Sequence, residues 1–233
     1  MRGMSAPSSA TLTLVIANKN YSSWSMRPWV LLRGLNLPFR ERLVKFHSKD
    51  WDDHIGRLSP TRMVPVLWEG EPGEGFATWD TLAIAERLHE LFSAAGIWPA
   101  GAQARARARS LCAEFHSGFR AFRGAMPMNI RSRYPGKGMN DGVAKDIARI
   151  SAIWGAAKRP FLFGEFCAAD AFYAPVATRF VTYGVELKGA VREYQQTLLD
   201  SPGVKAWSAD AAKETEFVAE DEPYAAAPRS ASS

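Results

Sequence analysis

Cysteine is scarce in this chain: Cys112 and Cys167 are the only two in 233 residues. Two cysteines make no disulfide framework, and a free cysteine is commonly a small core residue. A reducing compartment, the cytoplasm, is therefore the expectation. Histidines number four, and no His, Cys, Asp or Glu cluster shows metal-ligand spacing, so no metal is expected. Long apolar runs are missing too. None approaches the ~20 residues of a membrane span, and residues 1–10 lack the apolar stretch of a secretory signal. A membrane partner is not expected. Acidic residues fall slightly short of basic ones, 24 against 29, for a net charge of +5. The basic residues are scattered and no nucleic-acid-reading motif accompanies them, so nucleic acid is not an expected partner. A solvated surface, one that also favours anionic substrates, accounts for them.

What is present is ample apolar material, 47% of the chain, and a clear order of elements. Leu12 to Ala17 is a nearly unbroken apolar run, as expected of a strand buried on both faces. The stretch Asn20-Tyr21-Ser22-Ser23-Trp24-Ser25-Met26-Arg27-Pro28-Trp29 follows, and then Trp29, Leu32 and Leu35 recur at helical spacing. Strand, loop and helix thus gather hydroxyls where a helix begins, and the free N–H groups of that end suit an anion. With Ser25 as the N-cap, Pro28 is the third helical residue, and Ser22 and Ser23 are left to face a ligand. Phe39 to Val44 reads as a second strand, parallel to the first through a right-handed crossover.

Val64 to Trp68 has strand character with Pro65 at its start, where a proline is tolerated. The ordinary reading is a trans bond; a cis bond would leave the main chain of Val64 free to pair with a peptide-like ligand. Gly70 to Gly75 is a turn by composition, and Phe76 to Trp79 closes an antiparallel hairpin. Asp80-Thr81 then opens a helix carrying Leu82, Ala85 and Leu88. The pair is either a cap or a binding pair, with Thr81 taking a carboxylate and Asp80 an ammonium.

Three markers in order, Ser22-Ser23-Trp24-Ser25, Val64-Pro65 and Asp80-Thr81, resemble those of the thioredoxin-like domain of cytosolic glutathione transferases. The Ser-Ser-x-Ser-x-Arg pattern resembles the serine-type classes, zeta most closely, although zeta enzymes carry cysteine where Trp24 stands. The resemblance implies a glutathione transferase fold: an α/β thioredoxin-like N-terminal domain followed by an all-α domain. It implies glutathione as co-substrate, a hydrophobic electrophile as acceptor, and a homodimer. Ser22, with Ser23 in reserve, is the catalytic hydroxyl in that pattern; Trp24, Val64, a cis Pro65, Asp80 and Thr81 hold glutathione. The chemistry suits these types. A free thiol has a pKa of ~8.5. A hydroxyl too weak to serve as its base can still donate a hydrogen bond to the thiolate. Conjugation is the first reading. A glutathione-dependent isomerase resembling maleylacetoacetate isomerase, or a non-catalytic glutathione-binding protein, are the alternatives.

The expected domains are a disordered tail over 1–10, the glutathione-binding domain over 11–92, a linker over 93–101, a helical domain over 102–220 and a loose tail over 221–233. Leu111, Phe115, Phe119, Phe122 and Met126 step by about a turn each and predict one helix, most simply a core stripe. In the resembled family this helix faces the thiol, which makes His116, Phe119, Arg123 and Met126 the candidate acceptor pocket; His116 is more simply an ordinary polar residue at a domain contact. Later helices are expected around Val143 to Trp154, Phe172 to Tyr183, Val191 to Leu198 and Val204 to Ala211. Cys167-Ala168-Ala169-Asp170 reads as a capping box in which a thiol replaces the usual hydroxyl.

Overall fold

A computed structural model describes residues 11–225, so the tail expected over 1–10 lies outside the described residues. Four strands form one mixed sheet: β1 (Leu12–Ile16), β2 (Arg40–Leu43), β3 (Val66–Glu69) and β4 (Phe76–Thr78), in the order β2-β1-β3-β4. β1 and β2 are parallel, with Val15 opposite Arg42. β3 runs antiparallel to both β1 and β4, so the hairpin is appended to the parallel pair. Alternation along β1 sends Leu12, Leu14 and Ile16 into the main core and Val15 into a smaller cluster on the other face.

The main-core face is covered by α1 (Ser23–Gly34) and α3 (Thr81–Leu91), and the other by α2 (Lys49–Leu58). α2 is absent from the sequence reading. Charged residues dominate it and only Ile55 and Leu58 are buried. Its signal was present: Ser48 caps it, accepting from Trp51 N at 3.1 Å, and Trp51, Ile55 and Leu58 share a face.

The start of α1 corrects the expected cap. Ser22, not Ser25, is the N-cap, its Oγ accepting from Ser25 N. Pro28 therefore lies inside the helix rather than in its first turn. Ser25 Oγ instead accepts from Ala17 N at 3.2 Å, tying the helix to the strand before it.

The helical part comprises α4 (Ala102–Ser117), α5 (Arg120–Ala125), α6 (Asp141–Gly155), α7 (Ala168–Thr182), α8 (Gly189–Asp200) and α9 (Pro202–Ala211). The single helix expected through Met126 is broken: α4 ends at Gly118, and Phe119 is left-handed at φ 54°. A Cβ on Gly118 would stand 2.7 Å from Glu114 O, so a glycine suits that turn. α7 is buried along nearly its whole length, and α1 packs on α7 and α9 while α3 packs on α4. The linker is pinned by buried Ile97, whose carbonyl accepts from Ala168 N at 2.8 Å. No helix among the described residues is long and apolar enough to cross a membrane.

The loose tail expected from residue 221 is not loose through 225. Glu222 is buried and accepts from the hydroxyls of Tyr21 and Tyr134, each at 2.7 Å. Tyr224 donates to Ala125 O at 2.7 Å. Upstream, Glu214 accepts from Lys19 N and Asn20 N, and Arg131 donates to the carbonyls of Glu214 and Glu216. The segment after α9 is therefore a strap over the junction of both domains.

Candidate active site

The strand-to-helix turn at Ser22 and Ser23 opens on a cavity of about 600 Å³ between the two domains. Its walls come from the turn itself, from Phe46 and Trp51, from Arg62, Met63 and Val64, and from Arg120, Arg123, Pro127, Arg179 and Asp221. A second cavity of about 360 Å³ adjoins it, bounded by Trp24, Met63, Val64, Pro65, Trp79, Asp80 and Thr81. Trp24, Met63 and Val64 are common to both, so the two form one cleft. The three motifs read from the sequence thus line a single surface.

The two serines differ in how their hydroxyls are used. Ser22 Oγ donates to Ser25 Oγ at 2.7 Å and caps the helix, so its proton is engaged within the turn. Ser23 Oγ accepts from Arg179 Nη2 at 3.1 Å, which leaves its own O–H to donate. Arg179, on α7, is fixed by carbonyls: its Nε donates to Met126 O at 2.8 Å and its Nη1 reaches Pro175 O. Burial pushes its pKa down to about 10, so it is charged at neutral pH. The sequence reading missed Arg179. Nothing local marks it, because it stands 156 residues from Ser23.

The Val64–Pro65 bond is cis. β3 begins at Val66, and neither main-chain polar group of Val64 meets a partner among the described residues. Asp80 is the N-cap of α3, its Oδ1 accepting from Leu82 N at 3.0 Å. Thr81 is buried, and its Oγ1 has no partner. A buried hydroxyl without a partner is costly, and here it faces the cleft beside Asp80.

The candidate acceptor residues are divided by the structure. Arg123 lines the cavity, donating to His116 O and Gly118 O and lying 4.8 Å over the Trp24 ring. Phe119 and Met126 do not line it: both are buried in the core, Phe119 stacked on Phe115. A stripe of apolar side chains does not reveal which of its members face a cavity. His116 lies elsewhere, its Nε2 3.2 Å from Asp80 Oδ2 and its ring edge-on to Trp24 at 5.1 Å. Burial, with Arg27 and Arg123 nearby, lowers the His116 pKa against the pull of Asp80. Its Nδ1 has no partner among the described residues. Arg27, fully buried behind Trp24 with its guanidinium 3.9 Å from the ring, has Nε and Nη1 without partners.

Comparison with known proteins agrees with this geometry. Residues 21–91 match the family model of the glutathione S-transferase N-terminal domain. A solved glutathione transferase homolog from Burkholderia GL BGR1, with bound glutathione, is 25% identical with a TM-score of 0.66, covering 86% of this chain and 98% of its own. Glutathione transferase Omega 2S from Trametes versicolor, at 19% identity, has the same fold with a TM-score of 0.69, covering 87% of this chain and 96% of its own. Dichloromethane dehalogenase of Methylorubrum extorquens is 30% identical over 99 residues, 41% of this chain. That alignment spans 33%, about a third, of the curated relative's length. Residues 21–91 are therefore similar to a glutathione S-transferase N-terminal domain. With its helical part, the chain has the glutathione transferase fold.

Proposed function

We propose that this protein is a serine-type glutathione transferase that holds the glutathione thiolate with Ser23 and conjugates it to an electrophile in the inter-domain cavity. One observation carries the reading: Ser23, Val64 and Asp80–Thr81 line one cleft, each with hydrogen-bonding capacity that the fold does not use. Thr81 and the open end of α3 take the γ-glutamyl carboxylate, and Asp80, with His116 Nε2 3.2 Å away, takes the ammonium. Val64 pairs with the cysteinyl unit. The glycyl carboxylate falls to Arg62, which adjoins Val64 beside Phe46 and Trp51. Ser22 keeps the helix cap, so the sulfur role moves from Ser22 to Ser23.

The chemistry follows from charge. Each unit by which the thiol pKa drops needs ~1.4 kcal/mol of preference for the thiolate. The Ser23 hydroxyl donates to sulfur, the guanidinium of Arg179 polarises that hydroxyl, and the N-terminus of α1 adds its partial positive charge. Together these are of the size needed for one to two units. The thiolate then attacks the electrophilic carbon, the new S–C bond forms and the leaving group departs to solvent. Assembly as a homodimer in the cytoplasm belongs to the same reading, and sedimentation equilibrium tests the assembly.

The deciding experiment is to titrate the ultraviolet absorbance of enzyme-bound glutathione and to follow conjugation of an activated aryl halide. Bound thiolate at pH 7 together with turnover is the expected result. Binding without thiolate points to a non-catalytic glutathione-binding protein. Consumption of substrate with all glutathione recovered points to an isomerase.

A further inference from the structure

The cavity holds four arginines, Arg62, Arg120, Arg123 and Arg179, and one acid, Asp221. None of the four lies within salt-bridge distance of a carboxylate among the described residues. Residues 1–10 and 226–233 contain no Asp or Glu that could supply one. Arg123 and Arg179 spend their polar contacts on neutral carbonyls and a hydroxyl. Arg62 and Arg120 are exposed, Arg123 is half-buried and Arg179 is buried. Arg27 adds a fully buried charge on the far side of Trp24. Guanidinium groups remain charged at neutral pH, and an unneutralised cluster in a walled cleft concentrates positive potential.

Glutathione accounts for part of this charge. On the assignment above its glycyl carboxylate uses Arg62 and its sulfur draws on Arg179 through Ser23. Arg120 and Arg123 remain, on the first two turns of α5, three residues apart and so on one face. They face the cavity alongside Pro127, with the Trp24 ring under Arg123. We propose that the acceptor is an electrophile bearing a carboxylate, seated with its apolar body on Trp24 and Pro127 and its carboxylate between Arg120 and Arg123. This rests on the transferase reading and sharpens it from a hydrophobic acceptor to an amphipathic, anionic one. The left-handed turn at Phe119 that breaks the expected helix starts α5 here, bringing both arginines to the mouth of the cavity.

The test uses 4-chloro-3,5-dinitrobenzoate and its methyl ester, which share a reacting carbon and differ in charge. Each kcat/KM is divided by the acceptor's uncatalysed rate constant with glutathione. The expected result is a preference for the acid of about tenfold or more that shrinks with added KCl, as exposed charge interactions do. In Arg120→Gln/Arg123→Gln the ratio should fall to about threefold or less. Equal normalised rates, a preference for the ester, or a ratio unchanged in the double variant would overturn the proposal. A parallel arm reads binding of acid and ester by quenching of tryptophan fluorescence, with and without S-methylglutathione. Tighter binding of the acid, lost in the double variant, supports the anion site even in an enzyme that turns over neither compound; equal binding overturns it. Calorimetric titration with glutathione stands apart from both arms: its failure removes the transferase reading and leaves the result for the anion site standing.

Discussion

The two ends of α7 each bury a charge, and the fold treats them in opposite ways. At the N-terminal end Asp170 is enclosed by donors: Cys167 N and Leu162 N at 3.0 Å, and Tyr194 Oη at 2.8 Å. The box joins the helix start to the preceding loop and to α8. At the C-terminal end Arg179 meets only carbonyls and Ser23, with no counter-charge in contact. A closed shell of donors is what a structural charge needs. A charge left without its opposite is what a site needs if it is to stabilise an anion that arrives later.

Asp170→Ala should bring the largest change. It strips an acceptor from two buried N–H groups and a buried hydroxyl, and should cost about 3–5 kcal/mol by analogy with breaking a buried charged network. The shift in urea midpoint measures it. Asp170→Asn, which keeps one acceptor oxygen, should cost less. An Asp170→Ala protein as stable as wild type would erase the contrast between the two ends of α7.

Ser23→Ala comes next, with Ser22→Ala as its foil. Loss of the Ser23 hydroxyl should raise the pKa of bound glutathione by one to two units and reduce kcat at pH 6.5 by about 10- to 100-fold, with little change in stability. Ser22→Ala should instead lower stability by about 1 kcal/mol, the usual worth of a cap, and shift the thiol pKa much less. Thiolate absorbance against pH, alongside thermal unfolding, separates the two. The reverse pattern returns the sulfur role to Ser22.

These two serines show where sequence reading succeeds and where it stops. The strand, turn, helix and hairpin were legible because apolar periodicity and Pro, Gly and Asp punctuation are local. Val64-Pro65 and Asp80-Thr81 were legible because their order and spacing resemble a known pattern. The division of labour between Ser22 and Ser23 was not, because the three-residue move of the cap from Ser25 to Ser22 depends on Ser25 turning back to Ala17 N. Arg179, the strap around Glu222 and the pairing of His116 with Asp80 join residues far apart in the chain, which only the fold brings together. Helical spacing gave Phe119 and Met126 as a core stripe, and only the resemblance made them lining residues; the spacing predicts a face but not what that face meets.

Arg179→Met should act more gently than loss of Ser23, since the hydroxyl remains. Losing the nearby charge should raise the pKa of the bound thiol by about one unit, near tenfold in thiolate fraction at acidic pH. Stability should change less than in Asp170→Ala. Relief from burying an unanswered charge offsets the loss of a donor to Met126 O and Pro175 O. Arg179→Lys restores charge without the fork of donors, so it should recover part of the pKa shift. A structural role alone would change unfolding and leave the thiol titration in place.

The smallest effect belongs to Asp221, the one acid on the cavity wall. Burial raises its pKa to about 6, against the lowering pull of Arg179. The native state therefore binds this proton more readily than the unfolded chain, whose carboxylate titrates near ~3.9. Stability from this group is fully present below the unfolded value and is lost as pH rises through about 6. Asp221→Asn stays neutral, so its thermal midpoint should match wild type near pH 4, exceed it increasingly up to pH 6, and hold a constant lead above. The same ionisation places a negative charge on the wall of the cavity that Arg120 and Arg123 also line. Asp221→Asn should therefore also tighten binding of the carboxylate acceptor above pH 6 while leaving its ester unaffected. A lead in stability without that preference would place Asp221 with Asp170 as a purely structural acid.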